Sequence, residues 1–482
     1  MGLPRAGAEA WGMDIAIIGG GAAAVGLLDA LAGAAQAQGS ITVFEPSPDR
    51  WRGRPYGPDL DSVLVNVPPA IMSIRHGDPG HYSAWLGTRG EAYLDQRFGQ
   101  PLVPRALYGE YLEHTAEKAV AELRERGQRV EVAAASVVGL ARSAGRLTLH
   151  TEDGSRHVAD QVALCVGSGR PHDHYGLEGT PGFVGDPYPL ARTLDGMTPG
   201  SDVAVIGSGL TAVDVVVSLA ARGHTGRISM VSRTGMLPHV WQRPRAHRPR
   251  HVTTERVKAH GEITLDWLAR LLRAELADAG EDLDALLADL RAARTEDPVQ
   301  RLRRQVEAVD APEIGRRVLQ ETSHTVGPYA WRLLADHDKN RLRAHFRTAT
   351  SLASPMVPVN AARLLRLFDS GQLDPVGGVN SIERRNGRFH VDAEGTTRTA
   401  DLVINAVNPP PHAIPQAAVA LVNSLVAKGL ATPHPSGGVV PAAPRLHIVG
   451  DLAGDGPFIT SGIPGVAAQG AAAARAILAP VT

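Results

Sequence analysis

Apolar, β-branched runs that lead into glycine-rich turns occur twice in this chain. Residues 14–18 (DIAII) precede Gly19-Gly20-Gly21, and residues 202–206 (DVAVI) precede Gly207-Ser208-Gly209. Each turn opens a stretch rich in Ala, Leu and Val. A short apolar run, a tight turn and a longer apolar stretch predict strand, turn and helix. The pattern therefore predicts two parallel-sheet units, each beginning with a strand–turn–helix element.

Such a turn is typical of a dinucleotide cradle. The first glycine permits the tight turn, the second lets the backbone approach a pyrophosphate, and a third small residue lets helix and strand pack closely. The helix start attracts the pyrophosphate through free N–H groups and the helix dipole. The residues in these positions are Gly19, Gly21 and Ala24 in the first copy, and Gly207, Ser208, Gly209 and Ala212 in the second.

The strand after each turn indicates which dinucleotide the unit prefers. In the first unit the predicted strand at 40–44 is followed by Glu45. A carboxylate at this position binds an adenosine ribose diol and repels a 2′-phosphate, so the first unit fits FAD or NAD. Residues 227–232 end at Arg233 instead. Because a guanidinium pairs well with phosphate, we expect NADPH in the second unit. The alternative is that Arg233 is an ordinary surface arginine.

A segment near the C-terminus favours FAD in the first unit. Residues 445–449 predict a strand that ends in Gly450-Asp451, and a Gly/Pro-containing turn at 460–466 leads into an Ala-rich helix at 467–478. Ile463 in this turn is a further candidate for cofactor binding. In two-dinucleotide flavoproteins such an aspartate holds the ribitol chain. The helix start would point at the pyrimidine edge of the flavin, where negative charge develops on reduction.

Two predicted hairpins divide the chain further. Residues 147–150 turn at Asp153-Gly154 and return to a buried strand at 160–167, and residues 389–392 turn at Glu394-Gly395 and return at 401–407. We therefore predict an α/β fold of two Rossmann-like dinucleotide-binding domains, with the NADPH domain inserted in the FAD domain and carrying a helical insertion. The predicted bounds are 13–195 and 409–482 for the FAD domain, 196–408 for the NADPH domain, and about 240–346 for the insertion. The charges of the insertion are expected on a solvated face, and the alternative is a functional patch. Because inserted helices in such enzymes often cover the active site, the insertion is also the first candidate for substrate selection.

Composition excludes several classes of protein. The 482 residues carry a formal net charge of −1, which gives no reason to expect nucleic acid or an anionic membrane as partner. The single cysteine, Cys165, excludes an internal disulfide or a Cys-x-x-Cys relay. No apolar run is long enough for a membrane span, residues 1–12 lack a signal-peptide core, and no Cys/His spacing indicates a metal. We expect a cytoplasmic protein, and its oligomeric state is unreadable from the sequence.

Two further segments carry a resemblance to a known family. Residues 56–86 (with LVNVPPAIMS at 64–73) and residues 102–112 (LVPRALYGEYL) resemble segments of a family of FAD/NAD(P)-binding proteins related to single-chain flavin-dependent monooxygenases of the N-hydroxylating type. The resemblance implies an FAD- and NADPH-dependent monooxygenase that uses O₂ through a C4a-peroxyflavin and oxidises the nitrogen of a small amine or amino acid. It also implies a flavin or substrate contact for Arg105 and Tyr108. Asn66 is the first candidate for a contact near the reacting part of the flavin, because an amide both donates and accepts hydrogen bonds.

Other interpretations remain open at this point. A flavoprotein reductase or dehydrogenase that never inserts oxygen fits the same two cradles, and a cofactor-bound regulator is a third possibility. Asn66 could also be a turn-forming residue, and Arg105 and Tyr108 could serve packing and surface pairing alone.

Overall fold

The computed structural model describes residues 12–34, 39–293, 295–454, 456 and 462–479. In this part of the chain the strands are β1 (Met13–Ile18), β2 (Gly39–Phe44), β3 (Leu94–Asp95), β4 (Gln100–Pro101), β5 (Arg129–Ala133), β6 (Val137–Ser143), β7 (Arg146–Thr151), β8 (Arg156–Ala159), β9 (Gln161–Leu164), β10 (Phe183–Val184), β11 (Val203–Ile206), β12 (Ile228–Val231), β13 (Leu373–Val376), β14 (Val379–Arg385), β15 (Arg388–Ala393), β16 (Thr396–Ala400), β17 (Leu402–Asn405), β18 (Ala431–Pro433), β19 (Val439–Pro441) and β20 (Leu446–Ile448).

The α-helices lie between these strands and in one long segment of their own. They are α1 (Ala22–Ala32), α2 (His81–Leu86), α3 (Arg105–Glu125), α4 (Leu190–Thr193), α5 (Leu210–Ala221), α6 (Thr254–His260), α7 (Leu265–Ala277), α8 (Leu283–Ala292), α9 (Pro298–Glu307), α10 (Gly315–Thr325), α11 (Gly327–Leu333), α12 (Asp336–Ala344), α13 (Phe346–Ala353), α14 (Pro358–Asp369), α15 (Val419–Ala427) and α16 (Ile463–Leu478).

The first sheet is parallel and contains five strands in the order β20-β9-β1-β2-β5. Helix α1 packs against both α3 and α16 beside this sheet. The contact between α1 and α16 is close because it uses glycines: a Cβ on Gly470 would lie 2.9 Å from the carbonyl carbon of Gly26. Strand β20 and helix α16 come from the end of the chain, so the chain returns to this sheet after building a second one.

The second sheet is also parallel, with the order β10-β17-β11-β12-β13. Strand β11 and helix α5 flank the second glycine turn. They pack with α14 around an apolar core that includes Val205, Val216 and Leu364. Strand β10 lies before residue 196, at which the sequence pattern placed the start of the second unit. The exact domain bounds stay a prediction, whereas the α/β fold with two Rossmann-like sheets is confirmed.

Two small antiparallel sheets have the hairpins that the sequence predicts. They run in the orders β6-β7-β8 and β14-β15-β16, and each leads into a buried parallel strand, β9 or β17, of the neighbouring large sheet. Each nucleotide-binding unit therefore consists of a five-stranded parallel sheet and a three-stranded antiparallel sheet.

Helices α6 to α13 fill the segment that separates β12 from α14. The expectation that the charges of this segment lie on a solvated face is wrong for Arg301 on α9, which is 1 % exposed, whereas the side chains of Arg303 and Arg304 on the same helix are 40 % and 46 % exposed. The reason is that α9 packs against α14 on one side and receives the loop at 237–240 on another, so two faces of the helix are covered. Among the described residues, no helix is both long enough and apolar enough to cross a membrane.

Candidate cofactor and active site

The first glycine turn is sterically closed to any other residue. Gly19 has φ +98°, and a Cβ there would lie 2.4 Å from the carbonyl oxygen of Cys165. The Gly19 N–H donates to the carbonyl of Phe44 at 2.8 Å, which ties the turn to the end of β2. The positive φ and the close approach both require glycine.

Glu45 follows β2 and faces this turn. Its carboxylate accepts hydrogen bonds from the Gly20 N–H at 2.6 Å and from the Ser47 N–H at 2.8 Å. These contacts hold the carboxylate at the edge of the glycine turn, where the sequence predicts that it binds a ribose diol. Its role remains a prediction.

The starts of α1 and α5 leave their free N–H groups without side-chain partners. Gly21 and Gly209 are the N-cap residues, neither helix has a side-chain cap, and neither carries an acidic residue in its first turn. A Cβ on Gly209 would meet no described atom within 4 Å, and one on Gly21 would meet only Gly53, at 3.5 Å for the nearest atom. Open space beside uncapped N–H groups fits a pyrophosphate. Behind this space, Ala24 is fully buried against the sheet.

The C-terminal element reaches the same end of the first sheet. Gly450, two residues after the end of β20, has φ +97°, and a Cβ there would contact Cβ of Ala23 at 3.4 Å. Asp451 follows and is 9 % exposed, and its backbone carbonyl lies 2.9 Å from His412 Nδ1. Ile463 begins α16. Residues 460–461 of the predicted turn lie outside the described residues.

The second glycine turn repeats the geometry of the first. Gly207 has φ +116°, its N–H donates to Val231 at 2.8 Å, and a Cβ would lie 2.9 Å from the carbonyl oxygen of Ala406. Ser208 donates through its hydroxyl to the carbonyl of Met236 at 2.8 Å.

Arg233 lies just beyond β12 and is exposed. Among the described residues no carboxylate forms an ion pair with it, so its guanidinium is available for a phosphate in the position that the sequence predicts.

Arg105 belongs to a buried network that joins the two units. It starts α3, and its guanidinium donates to the Asp214 carboxylate at 2.5 Å and to the Tyr188 hydroxyl at 3.0 Å. Tyr188 also donates to Asp214, at 2.6 Å. Burial raises the pKa of Asp214, opposed by the Arg105 charge. Burial alone would lower the pKa of Arg105, but Asp214, Tyr188 and Tyr56 together raise it above its ordinary value. The structure thus shows the guanidinium of Arg105 engaged within the protein.

Asn66 lies beside this network and is 6 % exposed. Its amide donates to the carbonyl of Leu64 at 3.4 Å, and the Arg105 Nε donates to the same carbonyl at 3.1 Å. The backbone carbonyl of Asn66 accepts from the Trp241 indole at 2.7 Å, whereas its side-chain oxygen has no hydrogen-bond partner among the described residues. Asn66 therefore keeps a buried acceptor, and its contact with the flavin remains a prediction.

Tyr108, three residues after Arg105 on α3, lies in an aromatic cluster. Its ring is 4.7 Å from that of Tyr56 and 4.9 Å from that of Tyr82, and its hydroxyl donates to the carbonyl of Met72 at 2.8 Å. Burial raises its pKa well above the ordinary value, so the phenol stays protonated. These contacts are those of a packing residue, and its predicted ligand contact remains a prediction.

The sequence reasoning missed Tyr188, Asp214 and Trp241. Only Asp214 carried a usable signal: it is a charged residue inside the otherwise apolar stretch of α5, and a charge at such a position requires a partner. Its partner, Arg105, is distant in the sequence.

Two glycine cradles on two parallel sheets define an α/β protein of the two-dinucleotide class. Residues 16–169 match the family described as FAD-NAD(P)-binding, so this stretch is an FAD-NAD(P)-binding domain. No curated protein sequence matches the chain.

Three solved structures have similar folds over nearly the whole chain. The FAD-bound cadaverine monooxygenase DfoA of Erwinia amylovora is 12 % identical over 98 % of this chain and 96 % of its own, with a TM-score of 0.59. The ornithine N-hydroxylase KtzI of Kutzneria sp. 744, with reduced FAD, NADP⁺ and L-ornithine, is 13 % identical over 97 % and 99 %, with a TM-score of 0.58. The ornithine hydroxylase PvdA of Pseudomonas aeruginosa is 13 % identical over 96 % and 99 %, with a TM-score of 0.53. At these identities the similarity establishes the fold.

Proposed function

We propose that this protein is an FAD-dependent, NADPH-using monooxygenase that oxidises the nitrogen of a small amine or amino acid. The balanced reaction takes one oxygen atom of O₂ to the nitrogen and releases the other as water, with two electrons from NADPH and one proton. When bound, FAD would accept the electrons of NADPH and activate O₂. The three similar structures are named as enzymes of this kind.

The proposal depends on one combination of features: two glycine turns suited to dinucleotides, and a single cysteine that is not reactive. Cys165 is buried, and burial raises the pKa of its thiol, so it is neither a nucleophile nor half of a redox pair. Electrons that enter from a nicotinamide therefore cannot leave through a disulfide of this chain, and we propose O₂ as their acceptor.

The residues of the two cradles have separate tasks in this proposal. Glu45 and Asp451 hold the ribose and ribitol of FAD, the N–H groups at Gly21 and Gly209 hold the two pyrophosphates, and Arg233 binds the 2′-phosphate of NADPH. Asn66 offers its unpaired oxygen to a donor on flavin or substrate. Arg105 acts through position, because its contacts with Tyr188 and Asp214 fix the two units against each other.

The proposal is tested by measuring NADPH oxidation, O₂ consumption, peroxide release and hydroxylamine formation in the same assay. The substrate panel contains diamines and amino acids. We expect one substrate to raise the ratio of hydroxylamine to NADPH consumed and to lower peroxide release. Peroxide equal to the NADPH consumed with every substrate would instead support the reductase alternative, and failure of NADPH to reduce the holoprotein would contradict both.

A further inference from the structure

The loop that follows the second cradle is held by a buried arginine of the helical segment. The Arg301 side chain on α9 donates to the carbonyl of Leu237 at 2.6 Å. The preceding residue, Met236, accepts the hydroxyl of Ser208 in the glycine turn. Arg301 and the second glycine turn therefore bind adjacent residues of one loop, although Arg301 is distant from this turn in the sequence.

Two guanidiniums at this place have hydrogen-bond donors left over. Arg301 is 1 % exposed, and its Nε has no partner among the described residues. The neighbouring Arg316, at the start of α10, has buried Nε and NH2 atoms that likewise lack partners in the described chain. Neither arginine forms an ion pair with a described residue. Buried donors of a charged group without acceptors are costly, and such groups in proteins normally have a partner.

The local charge balance is positive. Arg304 takes both nearby carboxylates, Asp289 at 3.1 Å and Glu296 at 2.7 Å. Burial and the charges of Arg301, Arg316 and Arg304 lower the pKa of His239 to about 3, so this histidine is neutral. These described groups therefore comprise three positively charged guanidiniums, on Arg301, Arg304 and Arg316, and two carboxylates, on Asp289 and Glu296.

The loop and α10 also reach the first unit. Residues 239–242 continue from Leu237, and within them Trp241 donates to the backbone carbonyl of Asn66 at 2.7 Å. Helix α10 packs against α16 and against the turn at Pro69–Ile71. The two unsatisfied arginines thus belong to a layer that touches both nucleotide units.

We propose that Arg301 and Arg316 form an anion subsite for a carboxylate of the substrate, which makes the substrate an amino acid and not a simple amine. This inference rests on the proposed function, because it specifies the substrate class of the same site. A carboxylate is favoured over a nucleotide phosphate because the second cradle already provides for phosphates at Gly209 and at Arg233. The Nε and NH2 atoms of Arg316, which lack partners among the described residues, form a fork that matches a carboxylate, and the Nε of Arg301 adds a third donor.

The experiment measures the unfolding temperature of the FAD-loaded protein with and without saturating NADP⁺. Sodium succinate is the carboxylate probe, inorganic phosphate is the phosphate probe, and sodium chloride of equal ionic strength is the reference. We expect succinate to raise the unfolding temperature saturably above the reference, also in the presence of NADP⁺. Arg316→Gln and Arg301→Lys should each weaken the succinate response roughly tenfold or more. Arg303→Gln is the matched control, because this exposed arginine pairs with Asp369 and should leave the response unchanged.

The outcomes are separable from those of the oxygenation assay. If succinate does not raise the unfolding temperature of the wild-type protein, the inference is refuted. This result does not depend on whether the variants fold. A response that NADP⁺ abolishes, or that only phosphate produces, assigns the arginines to the nucleotide and also overturns the inference. Coupled turnover with amines alone would leave the proposed function standing and the carboxylate subsite refuted. An arginine-dependent succinate response without any hydroxylamine product would do the reverse.

Discussion

Replacement of Arg105 by glutamine tests whether the buried network between the two units is what fixes them together. The Arg105 and Asp214 side chains are 15 % and 0 % exposed and 2.5 Å apart, so the substitution leaves a carboxylate buried without its counter-charge. Removing one partner of a buried ion pair costs about 3–5 kcal/mol, because the remaining charge keeps its desolvation penalty. We expect that loss in the free energy of unfolding, measured by urea unfolding of the holoprotein followed by tryptophan fluorescence.

The same junction offers a matched control and a double variant. Arg54 pairs with Asp186 at 2.5 Å, but these side chains are 34 % and 22 % exposed, and Arg54→Gln should cost less than about 1 kcal/mol. Asp214→Asn should cost about 2 kcal/mol, since Tyr188 can still donate to the amide oxygen. The double variant Arg105→Gln/Asp214→Asn should be more stable than Arg105→Gln alone, because it removes the uncompensated charge.

The pH dependence gives an independent check. In Arg105→Gln the hydrogen bonds of Tyr188 and Asn66 still lower the pKa of Asp214, but the Arg105 charge, which opposes burial most, is gone, so the pKa should rise further. A carboxyl group whose pKa is higher in the folded than in the unfolded state loses stability as the pH rises through the folded-state pKa. The deficit of this variant relative to wild type should therefore shrink as the pH falls from neutral toward the unfolded-state pKa. A loss no larger than that of Arg54→Gln, strict additivity in the double variant, or a deficit independent of pH would each refute the reasoning.

Four further substitutions test the cradles and the cysteine. Gly207→Ala should weaken NADP⁺ binding, measured by fluorescence titration, at least tenfold, because its Cβ would lie 2.9 Å from the carbonyl of Ala406 at a positive φ. Gly209→Ala should keep the unfolding temperature of wild type but weaken NADP⁺ binding, because its Cβ would enter only the open space for the pyrophosphate; unchanged binding would contradict this. Arg233→Gln should lower the preference for NADPH over NADH roughly ten- to a hundredfold in kcat/KM, and an unchanged ratio would remove Arg233 from the phosphate site. Cys165→Ala should leave NADPH oxidation unchanged, and a large loss would show that the thiol takes part.

The sequence predicted those parts of the fold that local rules determine. The two turns need glycine because Gly19 and Gly207 combine a positive φ with a backbone contact, and both requirements appear as glycines beside apolar runs. Glu45 and Asp451 could be found in the same way, since each directly follows a strand or its closing glycine. Their placement at the sheet edges agrees with the pattern, while their ligand contacts are still to be measured.

Contacts between distant segments could not be predicted from local patterns. Arg105, Tyr188 and Asp214 meet only because the second unit packs against the start of α3. Arg301 has the composition of a surface helix residue, and its burial follows from a loop that reaches α9 from the end of β12. In each case the local pattern showed a charge but not its partner.

The position of Asn66 connects these two unpredicted contacts. Its amide shares the Leu64 carbonyl with Arg105, and its backbone carbonyl is fixed by Trp241 of the loop that Arg301 supports. The unpaired oxygen of Asn66 is therefore oriented from the second unit and from the helical segment, although Asn66 itself belongs to the first unit. A ligand that engages Arg301 and Arg316 would bind against the same loop that fixes Asn66. In the proposed enzyme, recognition of the substrate carboxylate and placement of the amide would then depend on one set of packing contacts, which gives the helical segment a physical route to substrate selection.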